Sequence, residues 1–254
     1  MEKIVWNNLT LAPREEGTCL IVTGCAEGAT EIEIPALVEG LPVCGIEANA
    51  FEGCSALARV TLPSEVGEDV YFTVGDGAFA CCDALTEITL PPSVGEVGWG
   101  AFRSCRRLAR VHYDGRVYLA PYAFTECRAL AEIPPVGCAS EGVLSYTAIE
   151  ELTLEGELEY IGENAFEGCE RLREVVIPRA VRQIDALAFR GCRALERVVF
   201  EDPEGWWECN SYREADVPLS LSDPERNATW LSEMDFDDGT LYWYRKPSHK
   251  TEQE

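Results

Sequence analysis

The apolar positions between Leu158 and Phe200 repeat a single pattern. Leu158, Ile161, Ala165, Phe166, Cys169, Leu172, Val175 and Ile177 recur 23 residues later as Val181, Ile184, Ala188, Phe189, Cys192, Leu195, Val198 and Phe200. The same template runs through the chain, with Ala-Phe-x-x-Cys at Phe51, Phe79, Phe102, Phe124, Phe166 and Phe189. Five residues before each phenylalanine stands Ile46, Val74, Val97, Leu119, Ile161 or Ile184, and six after it Leu57, Leu85, Leu108, Leu130, Leu172 or Leu195. A fixed period in the twenties marks a solenoid, in which no unit buries its apolar face alone and stacking builds the core. All these positions are expected to point inward.

The leucine of each unit opens an alternating run, as in Leu57-x-x-Val60-x-Leu62-Pro63 and Leu85-x-x-Ile88-x-Leu90-Pro91, which predicts short strands paired in parallel. Two units are irregular. Phe51 and Phe79 are 28 residues apart, which predicts an outward loop over about 67–72. Between Phe124 and Phe166 lies a degenerate fifth unit: Ile149, Leu152 and Leu154 keep the strand, while Val143 is read in place of the phenylalanine and Tyr146 in place of the cysteine.

The ends depart from the period. Residues 1–35 read as an N-terminal cap, with Cys19–Val22 and Glu31–Ile34 forming a hairpin across Gly24 and Gly28, and the second run opening the main sheet. Residues 36–200 hold about seven repeats, and 201–246 a C-terminal cap with Trp206, Trp207, Trp230 and Trp243. Within that cap Ser222-Asp223-Pro224 starts a helix over 225–231, and Thr240–Tyr244 is a last strand; 247–254 is a frayed tail. The fold class is therefore a mostly-β repeat solenoid: one body over 1–254, with a parallel sheet, an N-terminal hairpin cap and a C-terminal cap containing a short helix.

The unit resembles that of the BspA-type leucine-rich repeat family, I-x-x-x-A-F-x-x-C-x-x-L-x-x-I-x-I-P-x-x-V, over Val43 to Phe200. Ile34-Pro35 through Gly40-Leu41-Pro42-Val43 is similar to that family's opening. Phe200-Glu201-Asp202 with Gly205-Trp206, then Leu221-Ser222-Asp223-Pro224 with Ala228 and Tyr242-Trp243, is similar to a common bacterial ending. The resemblance implies a right-handed leucine-rich repeat superhelix, a bacterial source, and relatives that are mostly surface or secreted binding proteins, including adhesins. It brings no catalytic residues. The degenerate fifth unit and the missing leader depart from the family pattern.

Composition narrows the function classes. Hydrophobic residues make up 46%, enough for a core, yet no run approaches the roughly 18 to 20 apolar residues of a membrane span. The start carries Trp6, Asn7 and Asn8 where a signal peptide needs a basic flank and an apolar run, so the expectation is a cytoplasmic protein, with secretion or surface display the alternative if a leader has been trimmed. A formal charge of −24 argues against nucleic acid and anionic lipid, and leaves basic partners, cations and neutral glycans. The six repeat cysteines, Cys54, Cys82, Cys105, Cys127, Cys169 and Cys192, read as a ladder of buried free thiols rather than disulfides. Stacked strands bring their Cα atoms to about 4.8 Å, but the Cβ vectors run parallel.

Candidate chemistry is sparse. His112 and His249 are the two histidines, too few for a multi-histidine metal site, and His112 reads as an outward strand residue. Gly75-Asp76-Gly77-Ala78-Phe79-Ala80 fits a dinucleotide fingerprint only superficially, because Ala78-Phe79 belongs to the repeat. Glu233, Asp235, Asp237 and Asp238 lack an oxygen ligand at Gly239 and a closing glutamate, so a solvated loop is expected there. Cys81 has no basic neighbour to activate it, and the tryptophan cluster reads as a cap ahead of a sugar platform. No catalytic, cofactor or metal residues are assigned, and a non-enzyme is expected.

The strongest signal is the outward strand column, whose partner-binding face is read as Arg59, Thr61, Glu87, Thr89, Arg110, His112, Glu132, Glu151, Thr153, Glu174 and Arg197. A ladder of charge pairs is the structural account of the same residues. The expected function is a protein-binding, adhesion-type scaffold working through this face. The alternatives are a structural or self-assembly module and glycan binding through the aromatic cap; a monomer is favoured over an oligomer.

Overall fold

The computed structural model describes residues 3–14, 17–67, 71–113, 117–210, 216–234 and 240–246. Over these residues the chain forms a mostly-β solenoid of about eight turns with one short helix. Each coil contributes to two ladders. The longer one gathers the segments that precede Ala-Phe. It runs Ile4–Trp6, Leu9–Arg14, Cys19–Cys25, Leu41–Ile46, Phe72–Val74, Val94–Val97 and Tyr118–Leu119, antiparallel through the first three strands and parallel from there. The other holds the strands that follow the repeat leucine, in parallel pairs: Glu31–Glu33 with Arg59–Thr61, Glu87–Thr89 with Arg110–His112, and Glu151–Leu152, Glu174–Ile177 and Arg197–Phe200 in sequence.

Between the ladders lies the core. Phe51, Phe79, Phe102 and Phe124 stack with ring centroids 5.1, 5.1 and 5.2 Å apart, and Phe166 and Phe189 at 5.1 Å; all are inaccessible to solvent. The cysteine three residues on is more than a small apolar filler. Cys82 Sγ donates to Phe51 O at 3.3 Å, Cys105 to Phe79 O at 3.0 Å, Cys127 to Phe102 O at 3.1 Å, Cys169 to Leu144 O at 3.3 Å and Cys192 to Phe166 O at 3.2 Å. Each thiol thus ties its coil to the one before. Cys54, on the first coil, is only half-buried. Two residues before and two after each phenylalanine the chain turns through positive φ, as at Asn49 and Gly53, or Tyr122 and Glu126. These tight corners favour glycine and asparagine.

Four expectations need correction. Cys19–Val22 and Glu31–Ile34 do not form a hairpin. The hairpin is Leu9–Arg14 with Cys19–Cys25, while Glu31–Glu33 belongs to the other ladder. Ile32 and Ile34 occupy the same strand slots as Val60 and Leu62, so stacking on the next coil buries them, to 3% and 2% exposure. Phe72 is not in an outward loop but opens a strand and is fully buried; residues 68–70 of that insertion lie outside the described set. In the fifth coil the register is one residue later than expected. Phe102 N donates to Ala123 O, Phe124 N to Val143 O and Leu144 N to Ala165 O, so Val143 fills the alanine slot and Leu144 the phenylalanine slot. Thr147, not Tyr146, replaces the cysteine: its Oγ1 donates to Leu144 O at 2.8 Å and lies 3.3 Å from Cys169 Sγ. The missing residue falls after Thr147, where Ile149 takes the leucine slot, which is why alignment on the strand alone misplaces the turn.

The C-terminal cap forms as expected. Asp223 Oδ1 accepts from Arg226 N at 3.1 Å and Pro224 opens the helix Pro224–Glu233. Asn227, fully buried, donates to Val198 O and Leu221 O and pins that helix over the last strand. Trp206 packs edge-on at 5.1 Å from Phe200, and Thr240–Arg245 runs antiparallel to Gln183–Asp185, whose other edge pairs in parallel with Tyr160–Ile161 in a separate sheet. The 247–254 tail lies outside the described residues.

Two outcomes follow. Phe102→Ala should destabilise by about 3–5 kcal/mol in chemical denaturation, because it opens a void between two stacked rings. The core thiols should also make stability sensitive to alkali. Burial pushes Cys169 from 9.0 to about 11 and raises Cys82 and Cys192 as well, and the adjoining Cys127 together with burial raises Cys105. A thiol whose folded pKa lies above its unfolded value contributes fully below pH 9 and loses that contribution as pH rises through the folded value. The unfolding free energy should hold to about pH 9 and then fall, by on the order of 1 kcal/mol per pH unit for each such thiol, and the melting temperature should fall with it. Native alkylation should spare these cysteines, and their rapid labelling would contradict the burial.

Candidate functional site

The outward column is positioned by strict alternation. In Arg59–Thr61, Glu87–Thr89 and Arg110–His112 the central residue is buried and the outer two are exposed. The register sets Glu31 beside Arg59, Glu87 beside Arg110, Arg110 beside Glu132, and Glu151, Glu174 and Arg197 in succession; Thr89 lies beside His112. All of the predicted residues, from Arg59 and Thr61 through Thr153 to Arg197, are exposed on this side. His112 stands outward.

Much of the column is a charge ladder. Arg59 reaches Glu31 at 2.7 Å, Arg110 reaches Glu87 at 3.4 Å and Arg197 reaches Glu174 at 3.8 Å, with all six side chains about half exposed or more. Arg171–Glu150 at 3.6 Å and Arg193–Glu170 at 3.2 Å continue the theme on the turn. Pairs this exposed contribute roughly 0–1 kcal/mol each.

The strand pairing of the described residues lapses after Arg59–Thr61, which pairs with Glu31–Glu33 but not with Glu87–Thr89, and again in the middle of the column. Among the described residues no strand pairing joins 131–134 to Glu151–Leu152. The interruption leaves a notch of about 420 Å³ lined by Ala131, Glu132, Ile133, Glu150 and Glu151. Pro134 and Pro135 have no N–H to offer a following strand, and the shortened fifth coil displaces its strand. Ile133, whose counterparts Val60, Ile88 and Val111 are buried, is half-exposed as a result. The notch is acidic, but no group of three His, Cys, Asp or Glu side chains suited to a metal ion occurs among the described residues.

Other candidates resolve into structure. A Cβ on Gly75 would lie 2.6 Å from Ile46 O, and Gly77 turns at φ +60°, so these glycines serve coil stacking, and turns rather than a helix follow them. Trp206 and Trp243 are buried in the cap, Trp207 lies under Lys246 Nζ at 3.4 Å, and Arg226 sits 4.6 Å over Trp230. The acidic run at 235–238 and His249 lie outside the described residues. Sequence reasoning missed the exposed aromatics on the other side of the coils: Tyr118 and Tyr160, six before the phenylalanine slot, and Trp99, whose ring lies 5.5 Å from that of Tyr122. For the tyrosines the signal was available in the position six before the phenylalanine slot, which is exposed at Glu96, Tyr118 and Tyr160.

Comparison with known families agrees with this geometry. The profile described as BspA type leucine rich repeat region matches six copies over residues 27–134 and 138–220. The chain belongs to the BspA-type leucine-rich repeat family. Membership makes it a repeat scaffold of the protein-binding or surface kind. No curated protein matches the chain. Similar solved structures include the T. pallidum leucine rich repeat protein TpLRR, at 23% identity over 78% of this chain and 71% of that one, TM-score 0.38. A leucine-rich repeat protein from Bacteroides ovatus aligns at 20% identity over 79% and 71%, TM-score 0.36. The pneumococcal vaccine antigen PcpA aligns at 17% identity over 81% and 51%, TM-score 0.40. No helix among the described residues of this family member is long and apolar enough to cross a membrane.

Replacing one partner of a ladder pair tests the energetic account. Arg197→Ala should change unfolding free energy by less than about 1 kcal/mol; a larger loss would mean that the ladder is a structural clamp.

Proposed function

We propose that this chain is a protein-binding scaffold of adhesion type that engages its partner through the outward strand face around Arg110 and His112. The observation that carries the proposal is the alternation along that ladder. The inward residues are sealed in the core, and the outward ones are held at fixed register with exposed, easily exchanged ion pairs. A rigid, regularly spaced polar face can bind without reorganising, which keeps the entropic cost of association low. Arg110 is the favourable centre, because its bond to Glu87 is long and exposed and a partner carboxylate can replace Glu87. Family membership supports the protein class of partner. The cap tryptophans offer less to a sugar, since Trp206 and Trp243 have no free face.

A partner recovered by affinity capture from cell or matrix extracts, then purified, should lose at least about tenfold in affinity to Arg110→Ala/His112→Ala. The melting temperature should stay nearly constant. Retained affinity would move the site off this face.

A further inference from the structure

The third coil has a charge opposite to that of the chain as a whole. Between Glu96 and Asp114 stand Arg103, Arg106, Arg107 and Arg110 and no aspartate or glutamate, in a protein of formal charge −24. All four are exposed, and so is Arg128 on the next coil. Arg106 and Arg128 directly follow Cys105 and Cys127, on coils whose phenylalanine rings stack at 5.2 Å, so two like charges hold equivalent places on adjoining coils. Like charges set opposite each other destabilise a ladder. Three coils further on the same place is neutralised, by Arg193 with Glu170 at 3.2 Å. Among the described residues Arg103, Arg106, Arg107 and Arg128 make no ion pair.

The arginines run up to an aromatic pair. Trp99 is 45% exposed and packs 5.5 Å from Tyr122, and the Arg103 guanidinium lies 5.8 Å over the Trp99 ring. Tryptophan, tyrosine and arginine are the residues that dominate binding hot spots, and a guanidinium fork matches a carboxylate at two points. We propose that the outer arc of the third coil, from Trp99 through Arg103, Arg106 and Arg107 to Arg110, with Arg128 beside it, docks a protein that presents clustered carboxylates. This rests on the strand-face reading, which shares Arg110, and extends it round the turn. The unpaired arginines carry the charge complementarity. The Trp99–Tyr122 pair favours a protein over a polyanionic glycan, which would draw on the arginines alone.

The test uses the full chain and a fluorescent oligoglutamate peptide followed by anisotropy, with a heparin fragment as competitor. Wild type should bind the peptide, and Arg106→Glu/Arg107→Glu should weaken it by about tenfold or more. The milder Arg106→Gln/Arg107→Gln should weaken it less, and Trp99→Ala should also reduce it. Arg171→Glu/Arg193→Glu, on coils where arginines are paired, should leave it unchanged, and circular dichroism should be the same for all. Undiminished binding in the Arg106/Arg107 variants overturns the proposal. So does heparin displacing the peptide while Trp99→Ala has no effect, which assigns a glycan, or a wild-type dimer in sedimentation that Arg106→Glu/Arg107→Glu dissolves, which assigns a second copy. Loss of peptide binding in Arg110→Ala/His112→Ala but not in the Arg106/Arg107 variants would keep the strand face and overturn the arc. The reverse pattern would keep the arc and overturn the strand face.

Discussion

The carbonyl of the buried phenylalanine is the point on which the coils are hung. In the second coil Phe79 O accepts from Cys82 N of its own turn at 3.2 Å and from Cys105 Sγ of the next coil at 3.0 Å. Both lone pairs are thereby used in a place water cannot reach, where an unmet acceptor would be costly. The residue in that slot must be small enough to lie under a stack of rings, apolar enough to be buried, and still able to donate. Cysteine meets all three. Alanine or valine would leave the carbonyl one donor short, and serine would bring a more strongly hydrated hydroxyl into the core. The fifth coil departs from this, because Thr147 turns its hydroxyl to Leu144 O of its own coil rather than bonding to the coil before.

That constraint explains what was legible in the sequence. Ala-Phe-x-x-Cys reports a close-packed interior, and packed interiors tolerate few substitutions, so the pattern survives in six of the coils and fixes which residues face inward. The strand alternation then fixes the outward column without further information. What escaped was pairing between distant segments. Glu31–Ile34 and Cys19–Val22 are both short β-rich runs, and only the demand that Ile32 and Ile34 stack under Val60 and Leu62 sends them to different ladders. Leu144 was missed because it fills the ring slot without a ring, so the one-residue gap that follows Thr147 could be drawn on either side of it. The exposed aromatics are not marked by the repeat, because its pattern fixes the inward residues and leaves the outward positions before the phenylalanine free to vary.

The surface follows different rules from the core, and the contrast separates structural charge from free charge. On the sixth and seventh coils the glutamates of one turn meet the arginines of the next, at Glu170–Arg193, Glu174–Arg197 and Glu167–Arg190, so the charges cancel locally and present little net field. Copying a unit with such alternation is the cheapest way to keep a stacked surface soluble, because each new coil supplies counter-charges for the last.

On the third and fourth coils the alternation lapses without any change in the core beneath. Phe102 and Phe124 stack as closely as the other pairs, and Cys127 donates to Phe102 O as its counterparts do. The lapse therefore serves no packing need, and repulsion between Arg106 and Arg128 works against stability. Exposure makes that repulsion mild, since water and salt screen it. In a chain whose remaining surface is strongly acidic, such a patch is a fixed positive region with a negative surround. That arrangement orients an approaching carboxylate cluster more sharply than a uniformly basic surface would, because contact elsewhere meets either net negative charge or pairs that already cancel.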